Sequence, residues 1–199
     1  MNTSKMAYID IDGVLARWQL HEVGRQVGRK ITEAHWPIHH GWDIVSTIHE
    51  LGGRDYRSHP MDFWASVTES SWATAPRTEE FDYIIAYCVK LVGCYNVRIC
   101  TAPPPDHNPA AYSGKAIWIK THLPSWLHRQ VIFTENKGEL ATPDRLLVDD
   151  ADHNRVAWEI AGGHCILVPR PWNVHNGIPI DEYMHGRFAA MEGLWDDKG

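Results

Sequence analysis

The stretch YIDIDGVLARW, residues 8–18, decides the fold because a short apolar run leads directly into two carboxylates. The apolar run over residues 6–11 predicts a strand buried within a sheet. Asp10 and Asp12 stand one residue apart at its end, and side chains alternate along a strand, so both acids can face the same side. Gly13 permits a sharp turn where a Cβ would clash. The stretch therefore predicts a pair of acids at the end of a central strand.

Four further apolar runs have the same character, and segments with helical spacing of apolar residues lie between them. The predicted strands are residues 6–11, 97–101, 130–134, 146–148 and 164–168, and the helices between them are residues 78–92, 114–123 and 152–161. Apolar strands that alternate with helices indicate a parallel sheet covered on both faces. The predicted fold class is therefore α/β with three layers.

The connection after the first strand is too long for a loop. It contains helical patterns over residues 18–27 and 42–51, and Gly52 with Gly53 marks the end of the second. We expect a helical cap over residues 18–77, inserted into a core formed by residues 1–17 and 78–199.

Composition excludes several classes of protein. The net charge of −6 and the scattered basic residues argue against nucleic acid as a partner. No apolar run approaches the roughly 18 residues that a membrane helix needs, and the N-terminal residues show no signal-peptide pattern. The four cysteines form no C-x-x-C pair, which is typical of reduced thiols in a cytoplasmic protein. Oligomeric state is left open, with a homodimer as one alternative.

Polar residues also follow the later predicted strands. Thr101 and Ala102 end the second, Lys137 follows the third, and Asp149 and Asp150 end the fourth. Ligands of open parallel sheets bind at the carboxyl ends of the strands. We expect these residues to meet the first acid pair at one edge of the sheet.

This set of side chains suits phosphoryl transfer. Facing carboxylates repel each other when buried, and Mg²⁺ with oxygen ligands relieves the repulsion and also binds phosphate. Asp10 is ionised at neutral pH and can attack phosphorus, which gives an aspartyl-phosphate. Asp12 can protonate the leaving oxygen and later activate water. Lys137 and Thr101 can hold the remaining phosphate oxygens.

Each feature has a plainer interpretation when taken alone. Asp149 and Asp150 precede a predicted helix, where an acid often caps the first turn. The D-x-D-G sequence also matches part of a calcium loop, but the glutamate that such a loop requires is missing at the right spacing. The order of all four groups along the chain, each at a strand end, favours a phosphoryl-transfer site.

The same residues carry a resemblance to a known superfamily. The order hhhDxDG, hhhT, Lys and hhhDD (h, apolar) resembles the haloacid dehalogenase-like hydrolases. Within it, the chain is similar to the 5'(3')-deoxyribonucleotidase family over nearly its full length. The similar stretches are DIDGVLARW, DFWASV, ICTAPP, GKAIWIKTHLP, VIFTENK, LLVDD and ILVPRPWN.

The resemblance implies a Rossmann-like core with a small helical cap, a Mg²⁺ cofactor and dephosphorylation of nucleoside monophosphates. It implies Asp10 as nucleophile and Asp12 as acid and base. The remaining implied roles are phosphate binding by Thr101, Ala102, Lys115 and Lys137, metal binding by Asp10, Asp12, Asp149 and Asp150, and a base pocket of Trp18, Phe63 and Trp64. Arg17, Ala102 and Glu135 depart from residues common in the family.

Two residue types are unusually frequent, with ten tryptophans and thirteen histidines. We expect Trp36, Trp42 and Trp72 to form the core of the cap, whereas Trp18 is expected to stack on a nucleobase. The sequence HWPIHHGW, residues 35–42, fits no strong zinc pattern, which favours histidines that are hydrogen-bonded or face solvent.

Two alternatives to a nucleotidase stay open. One is a phosphatase of the same superfamily that acts on another small phosphomonoester or on a nucleic-acid end. The other is a non-catalytic nucleotide-binding module that keeps the fold.

Overall fold

The computed structural model describes residues 5–196 and contains a parallel five-stranded sheet with strand order β3-β2-β1-β4-β5. The strands are β1 Met6–Ile9, β2 Val97–Thr101, β3 Val131–Phe133, β4 Arg145–Asp149 and β5 His164–Leu167. Tyr8 at the centre of β1 pairs with Arg98 on one side and Leu147 on the other. The predicted α/β fold with a parallel sheet is confirmed.

Alternate residues of β1 enter two separate apolar clusters, which gives the sheet its covered faces. Ala7 and Ile9 belong to the larger cluster. Tyr8 belongs to a smaller one that includes Leu147 and Trp158. This alternation follows from the pleat of a strand, and it produces the three layers that the apolar runs predict.

The chain forms four helices between β1 and the first core helix. Four more follow, and that core helix is the first of them. They are α1 Trp18–Val27, α2 Ile44–Glu50, α3 Pro60–Ser66, α4 Glu69–Ala73, α5 Phe81–Val92, α6 Pro109–His122, α7 Asp152–Ile160 and α8 Ile180–Asp196. Within residues 5–196, none of the helices is both long and apolar enough to cross a bilayer.

The segment of residues 18–77 leaves the core and returns to it at one place. Arg17 donates its backbone N–H to Pro76 over 2.8 Å, and Thr78 donates to Leu15 over 2.9 Å. Between them, Ala16 and Arg77 form an antiparallel bridge. The two connecting chains therefore lie side by side.

Close packing of α4 on α6 fixes the cap segment against the core. A Cβ on Gly114 would lie 2.5 Å from the carbonyl oxygen of Glu69 and 2.6 Å from Cβ of Trp72. The indole N–H of Trp118 donates to the carbonyl oxygen of Ala75 over 2.7 Å. Position 114 therefore requires glycine, because any side chain would separate the two helices.

Candidate active site

Three carboxylates from neighbouring strands converge at the carboxyl edge of the sheet. Asp10 follows β1, Asp149 ends β4 and Asp150 follows it, and one carboxylate oxygen from each lies within 4.8 Å of the others. All three are buried. We call these three residues the acid cluster, and its formation follows from the adjacency of β1 and β4.

Lys137 supplies one positive charge to the acid cluster. Its Nζ lies 3.0 Å from Oδ2 of Asp10 and 2.7 Å from Oδ2 of Asp149, and the side chain is buried. Burial opposes the charge, but the two carboxylates outweigh it and raise the pKa of Lys137 above its usual range. One ammonium facing three carboxylates leaves an excess of negative charge.

This excess changes how the acids titrate. Burial raises the pKa of Asp10 from 3.8 to about 6, with Lys137 opposing the rise and the charge of Asp149 adding to it. Burial, together with the charges of Asp149 and Asp10, raises the pKa of Asp150 well above its ordinary value. A bound divalent cation would balance the charge in place of protons.

The two acids of β4 differ in their hydrogen bonds. Asp149 accepts from the backbone N–H of Ala151 over 2.9 Å, from the amide of Asn154 over 3.2 Å and from Lys137. Asp150 accepts from the indole N–H of Trp172 through Oδ2 over 2.7 Å. Its buried Oδ1 has no hydrogen-bond partner within residues 5–196. The geometry therefore leaves Asp150, rather than Asp149, with an oxygen available to a metal ion.

A second lysine organises the other acid. Lys115, on α6, places Nζ 2.6 Å from Oδ2 of Asp12. It donates to Oγ1 of Thr101 over 2.9 Å and to the carbonyl oxygen of Ala102 over 2.6 Å. The carboxylate of Asp12 therefore lies outside the acid cluster. Metal binding by this side chain stays a prediction, since its carboxylate is paired with Lys115.

A cavity of about 220 Å³ opens beside these groups. Asp10, Asp12, Ala102 and Lys115 form one part of its wall. The other predicted polar residues, Thr101, Lys137, Asp149 and Asp150, are buried next to that wall. A wider cleft of about 950 Å³ lies elsewhere, between Arg17 and Lys30, and none of the predicted site residues lines it.

Four tryptophans also line the cavity: Trp18, Trp42, Trp64 and Trp72. The rings of Trp18 and Trp72 stack at 3.8 Å with an angle of 1° between their planes. Trp42 and Trp72 were expected to form only cap core, so the structure adds both to the site. Trp36 is buried as expected.

Phe63, which was predicted to belong to the base pocket, does not line this cavity. Its side chain is fully buried and contacts the rings of Tyr56 and Trp64 edge to face, away from the cavity wall. Its role is to support Trp64, which does line the cavity.

Three further residues, which no motif predicted, lie at the site. Gln19 lines the cavity, Asn154 binds Asp149, and Trp172 binds Asp150. Trp172 lies within the ILVPRPWN stretch, which could have drawn attention to it.

Two of the histidines of residues 35–42 lie beside one carboxylate, and the third accepts a hydrogen bond. Nε2 of His39 and of His40 lie 3.0 Å and 2.8 Å from Oε2 of Glu50. Nδ1 of His35 accepts from the backbone N–H of Thr32 over 3.1 Å.

Gly13 allows Asp150 to approach the turn after β1. Its φ is +77°, and a Cβ would lie 1.8 Å from Oδ2 of Asp150. Gly28 has a similar φ of +69°, but no described heavy atom lies within 4 Å of its Cβ position. We expect Gly28→Ala to cost about 1 kcal/mol from backbone strain. Gly13→Ala should cost roughly 1–3 kcal/mol more, because Asp150 must move.

Urea unfolding of the two variants beside the wild type measures this difference. Equal losses of stability in the two variants would show that Asp150 does not occupy the space beside Gly13.

Comparison with known proteins places the fold. No protein-family model matches the chain, and no curated protein matches it. A haloacid dehalogenase-like family hydrolase from Streptococcus pneumoniae is 11% identical with a TM-score of 0.50, and the alignment covers 92% of each chain. A hydrolase of the same superfamily, subfamily IA, from Geobacter sulfurreducens is 16% identical with a TM-score of 0.49, over 82% of this chain and 86% of that one. The strand order, the insertion after β1 and the first of these similarities show that the chain has the fold of the haloacid dehalogenase-like hydrolases.

Proposed function

We propose that the protein is a Mg²⁺-dependent phosphomonoesterase that dephosphorylates nucleoside or deoxynucleoside monophosphates through an aspartyl-phosphate. One observation carries the proposal. Asp10 and Asp12 share a cavity wall with Lys115, and Asp10 also belongs to the buried acid cluster. A carboxylate nucleophile, a second acid and a cation are the groups that phosphate transfer to a carboxylate requires.

The acid cluster fits a hard divalent cation. Its ligand atoms are carboxylate oxygens, the type that Mg²⁺ prefers, and Oδ1 of Asp150 has no other partner within residues 5–196. Asp10 and Asp150 would hold the ion, while Lys137 and Asn154 keep Asp149 in place beside it. When bound, the ion would screen the charge of the incoming phosphate.

The residues of this chain divide the chemistry between them. The Ile11 backbone N–H donates to Oδ1 of Asp10 over 2.7 Å, which orients the carboxylate. Asp10 forms a bond to phosphorus as the bond to the leaving oxygen breaks, and Asp12 gives that oxygen a proton. Asp12 then takes a proton from the water that hydrolyses the acyl phosphate. Lys115 binds a phosphate oxygen in exchange for its contact with Asp12, while Thr101 and Ala102 hold it in position.

The lining of the cavity supports a nucleoside as the leaving group. Trp18, Trp42, Trp64 and Trp72 supply the apolar surface that a base and sugar would contact. A nucleic-acid end is disfavoured by the net charge of −6. A non-catalytic module would not need both Asp12 and Lys115 at the cavity.

A panel of monophosphates tests the proposal. We expect Mg²⁺-dependent release of phosphate from dTMP or dUMP, measured colorimetrically, and loss of the activity in EDTA with recovery on adding excess Mg²⁺. If only sugar phosphates are turned over, the substrate is another small phosphomonoester and not a nucleotide. Absence of turnover with every monophosphate, at saturating Mg²⁺, would contradict a phosphatase.

A further inference from the structure

The side chain of Gln19 is buried without any partner. It lies in the first turn of α1 and has no exposed surface. Neither Nε2 nor Oε1 has a hydrogen-bond partner within the described residues 5–196. Buried amides are nearly always hydrogen-bonded, because desolvating one without a partner is costly. Gln19 lines the same cavity as Asp10 and Asp12, so a ligand in that cavity could satisfy it.

Three indole groups on the cavity wall share this property. Nε1 of Trp18, of Trp42 and of Trp72 is buried and finds no acceptor in the part of the chain that the structure describes. An indole N–H is a donor only, whereas a carboxamide offers one acceptor and two donor hydrogens. The wall therefore combines three unsatisfied donors with one group that both donates and accepts.

The stacking of the tryptophans shows which part of each ring is available. One face of Trp18 stacks on one face of Trp72, with the ring centroids 3.8 Å apart. Neither of these two faces can therefore receive a base. Hydrogen-bonding edges are then the better means of recognising a ligand.

We propose that Gln19 determines the specificity of the site by binding the leaving group through a paired donor and acceptor. The ligand would carry an N–H next to a carbonyl oxygen, as uracil- and hypoxanthine-type bases do, with further acceptor oxygens for the indole groups. A carboxamide can also pair with the amino group and ring nitrogen of cytosine or adenine, so it is the indole groups, which only donate, that favour bases with carbonyl oxygens. This inference rests on the proposed function and deepens it by naming the residue that reads the base.

Gln19→Met tests the proposal because Met matches Gln in length and has no amide. We expect kcat/KM for dUMP to fall about 10–100-fold, the effect of losing hydrogen bonds to a buried partner. We expect kcat/KM for phenyl phosphate, which lacks the paired edge, to be unchanged. The melting temperature of the free variant should stay equal or rise, because an unpaired buried amide has been removed.

Gln26→Met is the matched control on the same helix. Gln26 donates to Oε1 of Glu22 over 2.7 Å and accepts from the hydroxyl of Tyr56 over 3.0 Å, so both ends of its amide are satisfied. We expect this variant to melt lower and to keep the wild-type ratio of kcat/KM for dUMP over phenyl phosphate. An unchanged ratio in Gln19→Met would overturn the proposal, as would a lower melting temperature with equal loss on both substrates.

A binding measurement separates this proposal from the proposed function. Calorimetric titration with 2'-deoxyuridine requires no turnover, so it reports on Gln19 even in a protein that releases no phosphate. Binding by the wild type that is lost in Gln19→Met supports the role of Gln19. Equal binding by both proteins, or binding by neither, refutes it.

Discussion

Asp10→Asn should lower phosphate release by roughly 10⁴-fold or more, the scale of losing a catalytic nucleophile. The amide cannot form the acyl phosphate, and the remaining groups can only bind and orient the substrate. The substitution keeps the shape of the side chain and removes one negative charge from the acid cluster, so the fold should persist. Steady-state release of phosphate from dUMP at saturating Mg²⁺, with circular dichroism to check the fold, measures both effects.

Asp152→Asn is the control for this prediction. Asp152 lies two residues beyond Asp150, outside the acid cluster and the cavity wall, and its Oδ2 accepts from the backbone N–H of Val174. Asn can accept the same bond, so activity should stay near that of the wild type. Comparable turnover by Asp10→Asn and the wild type would assign the nucleophile to another group and end the proposed mechanism.

Lys137→Met should destabilise the protein by roughly 3–5 kcal/mol, because it removes the cation from a buried group of acids. Asp10 and Asp149 would each lose a contact of 3.0 Å or less with Lys137. The pKa of Asp10, which Lys137 holds down, should rise further. Urea unfolding in the absence of Mg²⁺ gives the free energy directly.

Lys120→Met provides the matched control, because Lys120 is exposed on α6. A surface substitution of this kind changes stability by about 0.5 kcal/mol or less. Adding Asp149→Asn to Lys137→Met should recover part of the loss, because the double variant buries one fewer unpaired charge. A Lys137→Met protein as stable as Lys120→Met would show that the acid cluster is protonated rather than paired.

The elements that the sequence predicted well are those whose pattern is local and long. Apolar runs of Val and Ile located all five strands, although β1 ends at Ile9 because the Ile11 N–H turns back to the Asp10 side chain. The helices α3 and α4, of seven and five residues, were not predicted, although α2 has the same length as α3 and was. The helix α8 was also missed, and its sequence includes Gly186 and Gly193.

The site residues also fall into a group that the sequence could predict and a group that it could not. The convergence of Asp10, Asp149 and Asp150 could be predicted, because strand ends of a parallel sheet share one edge. Gln19 and Trp72 could not, since their proximity to the acids depends on how α1 and α4 pack after the chain has left the sheet. Spacing along the chain carries no information about that packing.

The two connecting chains pair at Ala16 and Arg77, so the cap between them could be replaced by another segment. Adjacent antiparallel chains can be joined by a turn of two to five residues, so a short linker or a foreign insert could replace residues 18–77 without stretching the core. Removing the insert would uncover the surface of α6 around Gly114 and Trp118, so a transplanted module needs an apolar face of its own there. The protein is thus a scaffold on which selectivity could be swapped as one block while the reaction centre stays in place.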